Sequence, residues 1–204
     1  MLNERNAKLT ALISVSDKKG LVKFARGLIG CGFSLVASGR NADYLNRYRI
    51  PATKTSKLTG WPPIMNPQGV KTIHPRIYGG IFVDRSNESH INDMKRFKIV
   101  PFDIVVCNFY PFETTVSLKH FRHEDAIRNL DIGGPCMVRA AAKHYSLRTV
   151  LVDTKDYPKV LGELRKNGGV SFKTRKNLAV KAFKRCIAYD NSVVSYLKQA
   201  KDGM

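Results

Sequence analysis

Apolar residues fall along this chain in two rhythms. Residues 9–15, 33–37, 103–109 and 149–152 are short, nearly unbroken runs rich in Val, Ile and Leu, the signature of strands buried on both faces. Between them, apolar positions recur three and four residues apart, which predicts helices over 21–29, 42–48, 88–97, 155–165 and about 172–196. Residues 77–83, Ile-Tyr-Gly-Gly-Ile-Phe-Val, read as extended. Each predicted strand near the start is followed by a polar loop and then a helix: Ser16-Asp17-Lys18-Lys19-Gly20 after the first, Ser38-Gly39-Arg40-Asn41 after the second. Strand–loop–helix units in series imply an α/β domain with a mainly parallel sheet, whose ligand-binding loops gather at the carboxyl ends of the strands.

Such loops end at helix N-termini, where unpaired N–H groups and a partial positive charge suit a phosphate. Ser16, Lys18, Ser38, Gly39 and Asn41 are the residues expected around it. The stretch from Asn129 to Lys143 adds chemistry. Asp131 precedes Gly133-Gly134, Pro135 suits a first helical position, and Lys143 follows Ala140-Ala141-Ala142. Taken alone, it reads first as an N-cap acid and a solvated lysine. Tyr110, closing the fourth strand, faces either the ligand edge or the core. His74 is open to a structural bond as much as to catalysis. His120 and His123 have loose metal-ligand spacing without a further cluster and are assigned to the surface.

With 204 residues, 43% of them hydrophobic, the chain suits a single globular domain over 1–204. No apolar run is long enough to span a bilayer. The polar start is no signal peptide, and Cys31, Cys107, Cys136 and Cys186 form no CxxC pair. A reducing, cytoplasmic setting without zinc or a disulfide frame is expected. The net charge of +19 implies either a phosphorylated or polyanionic partner or a general lysine bias; it is dispersed, and no nucleic-acid motif accompanies it.

Four motifs in order carry a resemblance. They are Ser14-Val15-Ser16-Asp17-Lys18, Val70-Lys71-Thr72-Ile73-His74-Pro75, Cys107-Asn108-Phe109-Tyr110-Pro111-Phe112, and Asp131-Ile132-Gly133-Gly134 with Arg139-Ala140-Ala141-Ala142-Lys143. Over about 9–196 the chain resembles the IMP cyclohydrolase domain, one half of the bifunctional enzyme of purine biosynthesis whose other half is AICAR transformylase. The resemblance implies a three-layer methylglyoxal-synthase-like fold, a homodimer, and a cofactor-free ring closure of formyl-AICAR (FAICAR) to IMP. It places Ser16, Asp17, Lys18, Ser38, Gly39, Lys71 and Thr72 along the nucleotide. Asn108, Tyr110, Asp131, Ile132 and Lys143 surround the base, with Lys143 as proton donor and acceptor. Backbone N–H groups around Ile132 and Gly133 would meet the formyl oxygen, with Lys71 as a cation. A free lysine has a pKa of ~10.4, so Lys71 and Lys143 are expected to share a pocket that lowers it.

Three positions depart from that pattern. Gly69 stands where the family carries Arg, Lys19 where it carries Thr, and Ser38-Gly39-Arg40-Asn41 replaces Ser-Gly-Gly-Thr. Arg40 is expected to make up part of the missing charge; the opposing reading is that it crowds a glycine loop. Nothing resembles the transformylase half, so no folate site is expected. The alternatives are a purine-nucleotide-binding relative without turnover, an RNA- or polyanion-binding protein on the same fold, and, on fold alone, a methylglyoxal synthase.

Overall fold

The computed structural model describes residues 9–65, 70–110, 112–116 and 122–200. Five short strands make one sheet: β1 (Thr10–Ser14), β2 (Ser34–Ala37), β3 (Ala52–Lys54), β4 (Ile104–Cys107) and β5 (Thr149–Leu151). Their order is β3-β2-β1-β4-β5 and every pairing is parallel. The unbroken apolar runs follow from this, because alternate residues feed two cores. Ala11, Ile13, Leu35, Ile104, Val106 and Leu151 face one side; Leu12, Val36, Val105 and Val150 face the other.

On the first side lie α1 (Leu21–Gly30), α2 (Gly39–Arg47) and α9 (Tyr157–Asn167), the last entered through a 3-10 turn at Thr154–Asp156. Phe24 of α1 and Tyr157 of α9 stack there, with ring centroids 4.1 Å apart. The second side is covered by α4 (Pro75–Phe82), α8 (Gly133–Lys143) and α10 (Phe172–Gln199). This is the expected three-layer α/β sandwich. Four shorter or peripheral helices complete it: α3 (Thr55–Thr59), α5 (Glu88–Phe97), α6 (Phe112–Val116) and α7 (His123–Arg128).

The expected extended segment at 77–83 is instead helix α4. Ile77 and Ile81, four apart, both point into the core, and His74 caps the start by accepting from the Arg76 N–H at 3.1 Å. Gly79 and Gly80 lie within this helix. They exist because the segment leading into β4 crosses the helix: a Cβ on Gly80 would collide with the Val100 carbonyl and the Phe102 ring. His74 is thus a structural hydrogen-bonder. The expected helix at 42 begins earlier, at Gly39, so the second polar loop is the first turn of α2.

Candidate active site

The chain moves outward from β1 through β2 to β3, then returns to place β4 on the other side of β1. The loops after β1 and β4 therefore diverge at a topological switch point, where open α/β sheets form their ligand crevice. Asn108 ties these loops together. Its Oδ1 accepts from the Ser16 and Asp17 N–H groups at 2.6 and 2.9 Å, and its Nδ2 donates to the Asp17 carbonyl at 3.0 Å. The side chain expected against the base is thus committed to shaping the first loop. Asn41 does similar work on the other flank: it is buried, and its Nδ2 donates to the Val15 carbonyl and to Ser38 Oγ. Ser38 stands at the N-cap of α2, and the Gly39 and Arg40 N–H groups make no bond among the described residues, which leaves an anion seat.

Arg40 is exposed and spans the crevice mouth. Its guanidinium donates to the Tyr110 hydroxyl at 2.6 Å and lies 5.7 Å from the ring centroid. Lys18 turns away from the crevice, with its Nζ near the Ser16 carbonyl and over the Tyr44 ring. There it joins Lys23, Arg26 and Arg165 on an open groove of about 720 Å³. Lys19 is exposed, and its N–H donates to Asp17 Oδ1.

Asp131 is the centre of the far wall. Its Oδ1 accepts from the Gly134 N–H at 2.8 Å and its Oδ2 from the Tyr110 N–H at 3.3 Å, while its own N–H donates to the Tyr189 hydroxyl at 2.6 Å. Burial pushes its carboxyl above the usual range, against the opposing pull of those N–H groups and of Lys71. Asp84, Asp125 and Asp153 move the other way, each held down first by a side-chain hydrogen bond. Thr72 is buried, and its Oγ1 would lie 3.4 Å from a Cβ on Gly133, so the 70–73 loop rests on the start of α8. The Ile132 and Gly133 N–H groups carry no bond among the described residues. Two amide donors, a cation and a raised carboxyl thus lie near one another at the start of α8, groups able to stabilise an oxyanion and exchange a proton.

Lys143 is not there. It ends α8, and ten residue steps place it roughly 15 Å from Gly133 along the helix axis. Its Nζ sits 6.0 Å from the Phe82 ring, at the far end of α4 and by the amino ends of the strands. The expectation that Lys71 and Lys143 share a pocket fails within one chain, because the helix that starts at the crevice runs straight away from it. Gly69 and His120 lie outside the described residues. His123 is half-buried rather than free on the surface, with Nδ1 2.8 Å from the Tyr196 hydroxyl and its ring stacked on that tyrosine. Among the described residues no cluster of His, Cys, Asp and Glu is fit to hold a metal ion.

The sequence did not assign the roles that two further residues play around Asp131. Tyr189, 58 residues from Asp131, sits at a buried helical position that reads simply as core; burial pushes its hydroxyl up to about 12. Gly134 admits no side chain, since a Cβ would fall 2.5 Å from Asp131 Oδ2 and 3.1 Å from the Phe109 ring.

Comparison with known proteins agrees with the fold. The MGS-like domain model matches residues 20–136, and a second model, the AICARFT/IMPCHase bienzyme, matches 141–204. The bifunctional purine biosynthesis protein PurH of Thermoanaerobacter sp. (strain X514) is 46% identical over 189 residues, which is 93% of this chain and 37% of that protein. The PurH protein of Streptococcus mutans is 45% identical over 186 residues, 91% of this chain and 36% of the relative. The chain therefore spans little more than a third of the length of these relatives. A solved structure described as "Crystal structure of ForH" superposes with a TM-score of 0.78 at 31% identity, covering 91% of this chain and 97% of that one.

Proposed function

We propose, from the premise that this chain belongs to the MGS-like domain family, that it is an IMP cyclohydrolase, closing the ring of formyl-AICAR to give IMP and water in purine biosynthesis. The observation that carries the reading is Asp131: a carboxyl raised by burial, gripped by two backbone N–H groups beside Lys71 at the switch point. The likeness to PurH proteins over 93% of the chain supports the same substrate.

In this reading the nucleotide phosphate sits on the first turn of α2, against Ser38, Gly39 and Arg40, and the base reaches across towards Asp131. The substrate's carboxamide nitrogen, a weak nucleophile because its lone pair is delocalised into the carbonyl, is held against the formyl carbon. As the new C–N bond forms, negative charge grows on the formyl oxygen. The Ile132 and Gly133 N–H groups and the Lys71 ammonium meet it. Asp131 moves the protons: as a carboxylate it takes one from the attacking nitrogen and passes it to the formyl oxygen, then takes the formamide N–H proton and gives it to the resulting hydroxyl, so that water leaves as the ring C=N bond forms. Tyr110, joined to Asp131 through its N–H, borders the base. No step needs a cofactor or a metal.

A role for Lys143 in this reaction requires a second chain, whose Lys143 enters the crevice of the first; the homodimer implied by the resemblance would supply it. Mixing Lys143→Ala protein with Asp131→Asn protein tests this directly. Restored turnover in the mixture places Lys143 in trans, and continued inactivity removes it from the mechanism. The function itself is tested by incubating the purified chain with formyl-AICAR and following IMP. Formation above the spontaneous rate is expected. Binding of IMP without its formation would instead identify a nucleotide-binding relative.

A further inference from the structure

The contact between Arg40 and Tyr110 joins elements that are not neighbours. Arg40 stands on the first turn of α2, after β2, and Tyr110 stands just after β4. β1 lies between those strands, so the pair bridges two strand spacings, roughly 9–10 Å, above the loop at Ser16-Asp17. Both side chains are exposed, and both lie at the entrance between the anion seat of α2 and the Asp131 wall. Tyr110 is doubly tied: its N–H donates to Asp131 and its hydroxyl accepts from Arg40. One guanidinium thus spans the entrance and occupies the hydroxyl of the residue whose N–H holds the raised carboxyl.

We propose that Arg40 is a phosphate-operated latch, which gives up Tyr110 when a phosphate monoester docks on the first turn of α2. The inference rests on the nucleotide reading above. The exchange is favoured by chemistry. A neutral phenol offers Arg40 one acceptor, whereas a phosphate dianion offers two in the fork geometry that guanidinium matches, with charge-assisted bonds about twice as strong. Arg40 and its own backbone N–H are carried on the same turn, so a phosphate seated there needs only a side-chain swing to be clasped. Release opens the arch and leaves the Tyr110 hydroxyl to the base. A substrate lacking the phosphate cannot turn the latch, which makes Arg40 a specificity residue for nucleotide over nucleoside. Lysine at this position would not serve, as a single ammonium cannot hold the phosphate bidentately.

The test is a double-mutant cycle on the full chain, with calorimetric dissociation constants for IMP and for inosine in wild type, Arg40→Gly, Tyr110→Phe and the double variant. Because both residues are exposed, all four proteins are expected to fold. Tyr110→Phe removes both a ligand contact and the latch, and only the latch depends on Arg40. The effect of Tyr110→Phe on IMP affinity should therefore be more favourable, by about three- to tenfold, in the Arg40 chain than in the Arg40→Gly chain. For inosine, which must also displace the latch but offers Arg40 no phosphate, the same difference should appear, and Arg40→Gly should narrow the preference for IMP over inosine. IMP binding with identical effects of Tyr110→Phe in both backgrounds overturns the latch alone. Failure of the wild-type chain to bind IMP overturns the nucleotide reading, and the latch with it.

Discussion

Gly134→Ala is the sharpest probe of how Asp131 is held. In an ordinary helix this change stabilises by roughly 0.5–1 kcal/mol, because alanine loses less backbone freedom. Gly162, inside α9 with nothing within 4 Å of a new Cβ, is such a position, and Gly162→Ala should show that gain. At Gly134 the added methyl would lie 2.5 Å from Asp131 Oδ2 and 3.0 Å from its Cγ, with the Phe109 ring at 3.1 Å. The carboxylate cannot swing aside cheaply, since it is bound by the Gly134 and Tyr110 N–H groups. Overpacking of this kind costs about 1–3 kcal/mol, so after the helical gain the net loss should be about 1–2 kcal/mol. With a urea slope of about 2 kcal/mol per molar, the midpoint should fall by about 0.5–1 M, while Gly162→Ala raises it. The displaced carboxylate should also lower IMP formation on the order of 100-fold, as expected for a misplacement near 1 Å. If Gly134→Ala proves as stabilising as Gly162→Ala, Asp131 is not pinned as described and the reasoning fails.

Two further expectations concern the same residue. Tyr189→Phe leaves the Asp131 N–H without its 2.6 Å acceptor and should cost about 1–3 kcal/mol in urea unfolding, with a fall in turnover; an unchanged midpoint would show that the bond contributes nothing. Asp131 also sets a pH signature. Its folded pKa is raised, so between the ordinary carboxylate range and that raised value the folded chain keeps a proton the unfolded chain has released, and stability declines as pH rises through the window. Melting temperatures across that window should decline less in Asp131→Asn than in wild type, and identical slopes would contradict the burial argument.

The framework was legible because a parallel sheet demands it. Runs such as Ile104–Cys107 must be apolar on both faces, and the polar segments between runs and helices must be the carboxyl-edge loops. Residues 77–83 misled because Ile, Tyr, Phe and Val favour strands, whereas the reason for helix lay elsewhere, in the crossing of Val100 and Phe102 over Gly80. Of the residues named by motif, Asp131, Lys71 and Tyr110 lie near one another. What sequence order does not convey is direction. Asp131 and Lys143 are twelve positions apart, yet a straight helix carries them to opposite edges of the sheet. Nor does it separate ligand contacts from struts: Asn108 and Asn41 have the right residue type, but their amides are spent on backbone groups of neighbouring loops. The bond from Tyr189 to Asp131 was not legible because it is fixed by packing of α10 on α8, not by any local pattern.

The most direct test of the central claim is the rate of IMP formation from formyl-AICAR by the purified chain, beside Asp131→Asn. The account predicts turnover well above the spontaneous reaction in wild type and its loss, on the order of 100-fold or more, in the variant, with IMP still bound. Equal rates in the two proteins, or no turnover in a folded wild-type chain, would contradict it.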